Sequence, residues 1–208
     1  FAVEDLAVEL RYRDGRQVRA VDGVSFRIGE GEALALVGES GSGKSLIAMG
    51  AVDLLPAGAE VVSGRTVFQG SVLQALEEAH WRYLVGMGIG VLFQDALGAW
   101  DPIEMIGPQS GEVLEAHGAL GQDEVRERVL QALGQVRLPR RLKYISYPHE
   151  MSRGQAQRAM LAAALLSGPR MLIADEPLSG LDVTVARAVL SLIDDLRRAR
   201  GMGLLLVT

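Results

Sequence analysis

The sequence predicts an α/β fold: a parallel-sheet core, an N-terminal antiparallel β subdomain and an inserted helical subdomain. Three observations predict it. The chain opens on two alternating apolar and polar runs separated by a turn. Four short, unbroken apolar runs follow, at Ala33–Val37, Gly90–Phe93, Met171–Ala174 and Leu204–Val207, the pattern of strands covered on both faces. Between the second and third of these, the spacing becomes helical over residues 95–167.

The elements justify themselves in order. Val3–Tyr12 and Val18–Ile28 form an antiparallel hairpin around Asp14-Gly15. Ala33–Val37, buried on both faces, enters a Gly-rich loop and a helix of about Lys44–Leu54. Val61–Phe68 is a strand among the turn signals Gly58, Gly64 and Gly70, and Gly90–Phe93 is a further buried strand. Helices are expected at Ile103–His117, at Asp123–Val136 with acids early and Arg126 and Arg128 after them, and at Ser152–Ser167. Strand Met171–Ala174, helix Val183–Arg200 and strand Leu204–Val207 complete the alternation. Residues 1–94 and 168–208 are thus read as the α/β core with its β subdomain, and 95–167 as the helical subdomain. The chain stops within a strand-like run, so the expectation is a fragment of a longer protein with a C-terminal part beyond 208.

Composition narrows the class. A chain of 208 residues, 49% hydrophobic and 23% charged, can bury one domain core. Gly is frequent (25 against 7 Pro) without a repeat, which points to tight turns and close backbone approaches. The net charge of −5 argues against a nucleic-acid partner. Absence of Cys excludes disulfides and thiolate chemistry within this stretch. No apolar run approaches the roughly 18 residues of a membrane span, and the first residues lack the pattern of a signal peptide.

Two motifs carry chemistry. Gly38, Glu39, Ser40, Gly41, Ser42, Gly43, Lys44 and Ser45 fit G-x-x-x-x-G-K-[ST] between an apolar strand and a helix. The glycines let successive backbone N–H groups converge on an anion, and the helix aims its positive end at the same point. Lys44 can reach the β- and γ-phosphates, and the Ser45 hydroxyl can ligate Mg²⁺. Downstream, the strand Met171–Ala174 ends in Asp175 and Glu176, in the crevice where ligands of open α/β sheets bind. Asp175 is placed to hold Mg²⁺; Glu176, on the other side of the extended chain, to orient or deprotonate water. Together they describe a P-loop NTPase (RecA-like) core.

A third stretch, Tyr147-Pro-His-Glu-Met-Ser-Arg-Gly-Gln-Ala-Gln-Arg158, resembles the signature of the ABC family, usually Leu-Ser-Gly-Gly-Gln. Ser152 is a good N-cap with Gln155 three residues on, as in a capping box, so Ser152 and Gly154 stand at a helix tip. The resemblance implies that this tip meets the γ-phosphate of an ATP bound by a second nucleotide-binding domain. Gln94 resembles the Q-loop glutamine, which touches Mg²⁺ and senses a transmembrane partner. Leu178–Asp182 resembles the D-loop that crosses the dimer interface, with Asp182 at its end. Tyr12 is the candidate aromatic for stacking on adenine. Arg153 stands where the family usually has Gly, and the family's switch His falls beyond Thr208.

Within the family, the sequence is most similar to importers of oligopeptides, dipeptides or nickel, through Ala20–Phe26, Phe93–Asp95, Tyr147–His149, Leu172–Pro177 and Leu181–Thr184. The resemblance then implies an ATPase that binds ATP and Mg²⁺, with Lys44, Gln94 and Glu176 catalytic and Ser45, Gln94 and Asp175 at the metal. It implies a second such domain, identical or not, transmembrane permease subunits, indirectly an extracytoplasmic substrate-binding protein, and a peripheral place on the cytoplasmic face of the membrane. Two alternatives stand beside it: a soluble ABC ATPase of nucleic-acid or ribosome maintenance, and a regulatory ABC domain that does not hydrolyse ATP. The spacing from Lys44 to Asp175 leaves no room for the long coiled coil of the DNA-repair type, and retention of Lys44, Asp175 and Glu176 argues for hydrolysis.

Overall fold

In a computed structural model, which describes residues 1–118 and 120–208, the chain builds two four-stranded sheets with a helix between them. The first sheet is antiparallel, in the order β2-β1-β4-β5, from β1 (Ala2–Arg11), β2 (Gln17–Arg27), β4 (Ala59–Phe68) and β5 (Ser71–Val72). The predicted hairpin is present, with Leu10 opposite Val18 and Val3 opposite Phe26. The second sheet is parallel, in the order β3-β8-β7-β6, from β3 (Ala33–Leu36), β6 (Ile89–Leu92), β7 (Met171–Asp175) and β8 (Gly203–Val207).

Helix α1 (Lys44–Gly50) follows β3 and is wedged between the sheets. Its Ala48 and the Ala51 that caps its C-terminus are fully buried, Ala48 against the parallel sheet and Ala51 against Val3, Leu6 and Val8 of β1. Small side chains on both sides let the helix sit close to both sheets, which fixes where its first residue lies. The expected helix to Leu54 stops earlier. Asp53 turns left-handed (φ +59), and Leu54 and Asp53 donate N–H to the carbonyls of Met49 and Gly50, a Schellman-type stop.

Helix α2 (Glu78–Gly88) was not expected from the sequence, since Gly86 and Gly88 break its pattern. Both glycines serve packing: a Cβ at Gly86 would lie 2.6 Å from Nε2 of His117, and one at Gly88 2.6 Å from the ring of Phe68. Helices α3 (Ile106–Ala116), α4 (Gln122–Gln135), α5 (Arg140–Tyr144) and α6 (Arg153–Ala164) follow. Helix α3 starts at Ile106 rather than Ile103, because Asp101 turns the chain first, accepting from the N–H of Ile103. Helix α5, also unforeseen, is a single polar turn behind Pro139. Helix α7 (Val183–Arg200) returns to β8 and ends on Gly201 in the left-handed conformation, as a C-terminal glycine allows. One apolar core runs from α3, α4 and α6 through Leu92, Leu172 and Ala174 to α7.

One expectation is corrected. Strand β3 is not covered on both faces: among the described residues it is the edge of its sheet, paired only with β8, and Ala33 and Ala35 are exposed. A short apolar run looks the same at an edge as in a sheet centre, so composition does not distinguish them.

Candidate functional site

Residues 38–43 carry the chain from the C-terminal end of β3 into α1. Gly41 and Gly43 lie at φ +80 and +92, where a side chain is strained. A Cβ at Gly43 would also lie 2.9 Å from the carbonyl oxygen of Ala20 on β2. The loop closes on Lys44, which is buried and donates from Nζ to the carbonyls of Gly38 (2.8 Å) and Glu39 (2.9 Å). The N–H of Ser42 donates to the Glu39 carbonyl at 3.3 Å. Gly38 needs no special φ; a Cβ there would sit 3.1 Å from Oγ of Ser42. Gly38, Ser40 and Lys44 line an open cavity of about 300 Å³ with Glu176, Ser179 and Thr208.

The acids of β7 arrive on the same spot. The Ser45 hydroxyl donates to Oδ1 of Asp175 at 2.9 Å, across 130 positions of sequence. Asp175 is buried, and burial holds its carboxyl above the usual carboxylate range. The neighbouring Glu176 pushes the same way, while the Ser45 hydrogen bond and Lys44 pull it back. Glu176 does not continue an extended chain, as the sequence suggested. β7 ends at Asp175, and Glu176 turns left-handed at φ +43, with its N–H donating to the Val207 carbonyl at 3.0 Å. A non-glycine residue held there costs about 1–2 kcal/mol, the kind of local strain found at functional sites. Its carboxylate accepts from Nε2 of Gln94 at 2.8 Å. With that N–H engaged, Gln94 keeps Oε1 for another partner. The Ser45 hydroxyl, the Asp175 carboxylate and this amide oxygen are hard oxygen donors, a set that fits Mg²⁺.

The tip of α6 is built as the sequence predicts. Ser152 Oγ accepts from the N–H of Gln155, and Gln155 Oε1 accepts from the N–H of Ser152, each at 3.3 Å. Gly154 has a second reason to be glycine: a Cβ would lie 2.7 Å from Cγ1 of Val185 on α7. Asp182 caps α7, accepting from the N–H groups of Thr184 and Val185 at 3.0 Å each. Arg153 reaches the turn before that cap, since a Cβ at Gly180 would meet its Nη1 at 2.8 Å. None of residues 152–155 lines the cavity beside Lys44. Tyr12 lies in the β1–β2 turn, 45% exposed and outside that cavity, with the Arg16 guanidinium 5.2 Å over its ring. The sequence reading did not name Pro177, Leu178, Ser179 and Thr208 as lining; adjacency to the carboxylates, and to β8, was the signal available.

Comparison with known proteins decides the family. The model of the family described as ABC transporter matches residues 21–179. The chain belongs to the ABC transporter family. It is 44% identical, over all of its length, to the peptidoglycan transport ATP-binding protein YejF of Agrobacterium fabrum, of which it covers 38%. It is 40% identical over 99% of its length to the probable peptide ABC transporter ATP-binding protein y4tR of Sinorhizobium fredii, covering 62% of that protein. The chain thus spans between roughly a third and two thirds of the length of these ABC relatives. Among solved structures, the dimeric structure of a bacterial ABC transporter cassette matches the whole chain and 87% of its own, with a TM-score of 0.87 and 24% identity, which establishes the ABC cassette fold. No helix among the described residues is long and apolar enough to cross a membrane.

Proposed function

We propose that this chain is the ATP-binding and ATP-hydrolysing part of a membrane importer of peptide-type substrates, working as one of a pair of such domains. The observation that carries the reading is that Lys44 and Glu176 line one open cavity which the α6 tip of the same chain does not line, with Ser45 hydrogen-bonded to Asp175 and Gln94 to Glu176 behind them. A nucleotide seated there leaves its γ-end uncovered, and a second domain turned head to tail supplies Ser152 and Gly154 to cover it. That partner domain is the same chain or a relative. The names of the matched relatives, both transport proteins and one a peptide transporter, support the substrate class.

The residues divide the work. Lys44 exchanges the carbonyls of Gly38 and Glu39 for phosphate oxygens, and backbone N–H groups of the loop take the remaining charge. Ser45, Asp175 and Gln94 would hold Mg²⁺, which would supply positive charge to the phosphates. Glu176, steadied by the Gln94 amide, accepts a hydrogen bond from the attacking water and aligns it. Closure of the pair excludes bulk water, and loss of the γ-phosphate removes the bridge between the halves. The chain lies peripherally on the cytoplasmic face, against permease subunits that an extracytoplasmic binding protein supplies with substrate. The groove beside Phe93, between α2, β6, α3 and α6, is where a permease engages it. Pairing of Gln94 with Glu176 favours hydrolysis over a purely regulatory role.

The test is Glu176→Gln in the full-length protein. ATP binding persists, phosphate release falls by about 100-fold or more, and size-exclusion chromatography with ATP shows a stable dimer. Wild-type turnover in this variant would refute Glu176 as the residue that positions water.

A further inference from the structure

Arg16, in the turn between β1 and β2, is a charged residue that neither the cradle nor the carboxylates use. The Tyr12 N–H donates to the Arg16 carbonyl at 2.9 Å and the Gly15 N–H to the Tyr12 carbonyl at 3.0 Å, with Gly15 at φ +85. This tight turn brings two side chains together. The guanidinium carbon of Arg16 stands 5.2 Å from the centre of the Tyr12 ring, a cation–π distance. Asp14 holds it there: its Oδ2 accepts from Nε of Arg16 at 2.7 Å, and its Oδ1 from the Arg16 N–H at 3.0 Å. Those contacts, the backbone one first, keep the Asp14 carboxyl below its usual range, so the anchor is charged at neutral pH.

The turn has a set relation to the cradle. Gly43 abuts β2 at the Ala20 carbonyl, where a Cβ would come within 2.9 Å. Arg16 is four residues from Ala20, and a strand advances about 3.3 Å per residue, so Tyr12 stands about 13 Å along the hairpin from the loop. An extended nucleoside triphosphate with its phosphates in the loop spans that distance. Tyr12 is still 45% exposed with the guanidinium over one face, so the opposite face is open. A phenol ring carries negative charge on both faces, which opposes stacking with another π system. A guanidinium on the far side offsets part of that charge and limits rotation of the ring. The Asp14–Arg16 pair is neutral overall, and salt screens what field remains at the phosphates.

We propose that Arg16, anchored by Asp14, is a positioning residue for the nucleobase: it backs one face of Tyr12 and presents the other to a purine. The inference rests on reading the cavity beside Lys44 as an ATP site whose base stacks on Tyr12, and adds the residue that tunes this stack. A purine offers more stacking area than a pyrimidine, so Arg16 also strengthens the preference for purine nucleotides.

The experiment is calorimetric titration of the full-length protein with ADP, CDP and inorganic tripolyphosphate. Tyr12→Ala weakens ADP binding by about fivefold or more, the worth of one base stacked on an aromatic ring. Arg16→Ala weakens ADP by about 2- to 5-fold, the worth of an exposed cation–π contact, and CDP by less. Tripolyphosphate, which has no base, binds both variants as it binds the wild type and reports an intact cradle. In ATP turnover Arg16→Ala raises KM by the same factor and keeps kcat. In the Tyr12→Ala background Arg16→Ala has no further effect. ADP affinity unchanged in Arg16→Ala, or lowered equally with and without the Tyr12 ring, overturns the role of Arg16 while stacking on Tyr12 stands. An equal loss of tripolyphosphate affinity overturns it too, because the residue then acts on the phosphates. If Tyr12→Ala leaves ADP affinity unchanged, the ring is not the base platform and the inference falls with it. A wild type that binds neither ADP nor tripolyphosphate refutes the ATP site itself.

Discussion

Gly154→Ala tests whether the tip of α6 is set by packing as well as by the ligand it is proposed to meet. A Cβ at this position would lie 2.7 Å from Cγ1 of Val185. Two methyl carbons reach ordinary contact near 3.5 Å, so the helices must part by roughly 0.8 Å. Neither side yields easily. Val185 is β-branched and stiff about χ1, and the first turn of α7 is pinned by Asp182. Overpacking of this kind costs about 1–3 kcal/mol. Replacing glycine in a helix returns up to about 1 kcal/mol, so a net loss of about 1–2 kcal/mol is expected. Urea unfolding of a double-mutant cycle isolates the cause. Val185→Ala alone costs about 1 kcal/mol for its half-buried methyls. Because it removes Cγ1, Gly154→Ala then keeps only the helix-propensity gain of up to about 1 kcal/mol, giving a coupling equal to the overpacking term, about 1–3 kcal/mol. Equal effects of Gly154→Ala in both backgrounds would refute the steric argument. Reduced ATP-dependent dimerisation in Gly154→Ala, restored by Val185→Ala, links the packing to the proposed nucleotide contact.

Three further outcomes follow from the same geometry. Gly43→Ala puts a side chain at φ +92 and 2.9 Å from the Ala20 carbonyl, so nucleotide titration by fluorescence shows about 5- to 30-fold weaker ATP binding, the equivalent of about 1–2 kcal/mol of backbone strain. Ser45→Ala removes the hydroxyl donor to buried Asp175, which costs about 1 kcal/mol in chemical denaturation and abolishes the stabilisation that Mg²⁺ adds to ATP in a thermal-shift assay. Ser152→Ala breaks the capping box at about 1 kcal/mol, and lowers Tm by about 2–4 °C; an unchanged Tm would mean that the cap contributes nothing.

How much was legible in the sequence depends on the range of the physics involved. The cradle, the carboxylate pair and the capped tip of α6 were legible because each is a local pattern: glycines where φ turns positive, acids where an apolar strand ends, Ser and Gln at capping distance. What escaped depends on distant neighbours. The edge position of β3 is a property of sheet order, to which Ala33–Leu36 carry no local clue. Helix α2 was hidden because Gly86 and Gly88 answer to His117 and Phe68 rather than to their own helix. The turn of Glu176 carried no local clue: the ladder with β8 makes its last pair at Asp175 and Val207, and φ turns positive at the next residue.

Strand order also explains how the site is held. β3 brings Lys44 and Ser45, β7 brings Asp175 and Glu176, and β8 lies between them. Adjacent strands are about 4.8 Å apart, so cradle and acids sit about 10 Å apart at the level of the strands, and the side chain of Ser45 at the start of α1 closes the gap to Asp175. Those pieces share one hydrogen-bonded sheet. Gln94 is differently placed. It follows β6 and leads into the loop that reaches α3, yet it holds the carboxylate of Glu176. A shift of α3 relative to the sheet is therefore felt at Glu176 before it is felt at Lys44. If Glu176 aligns water as proposed, a domain built this way keeps its nucleotide when that alignment is lost, and Gln94→Ala lowers phosphate release more than it lowers ATP affinity.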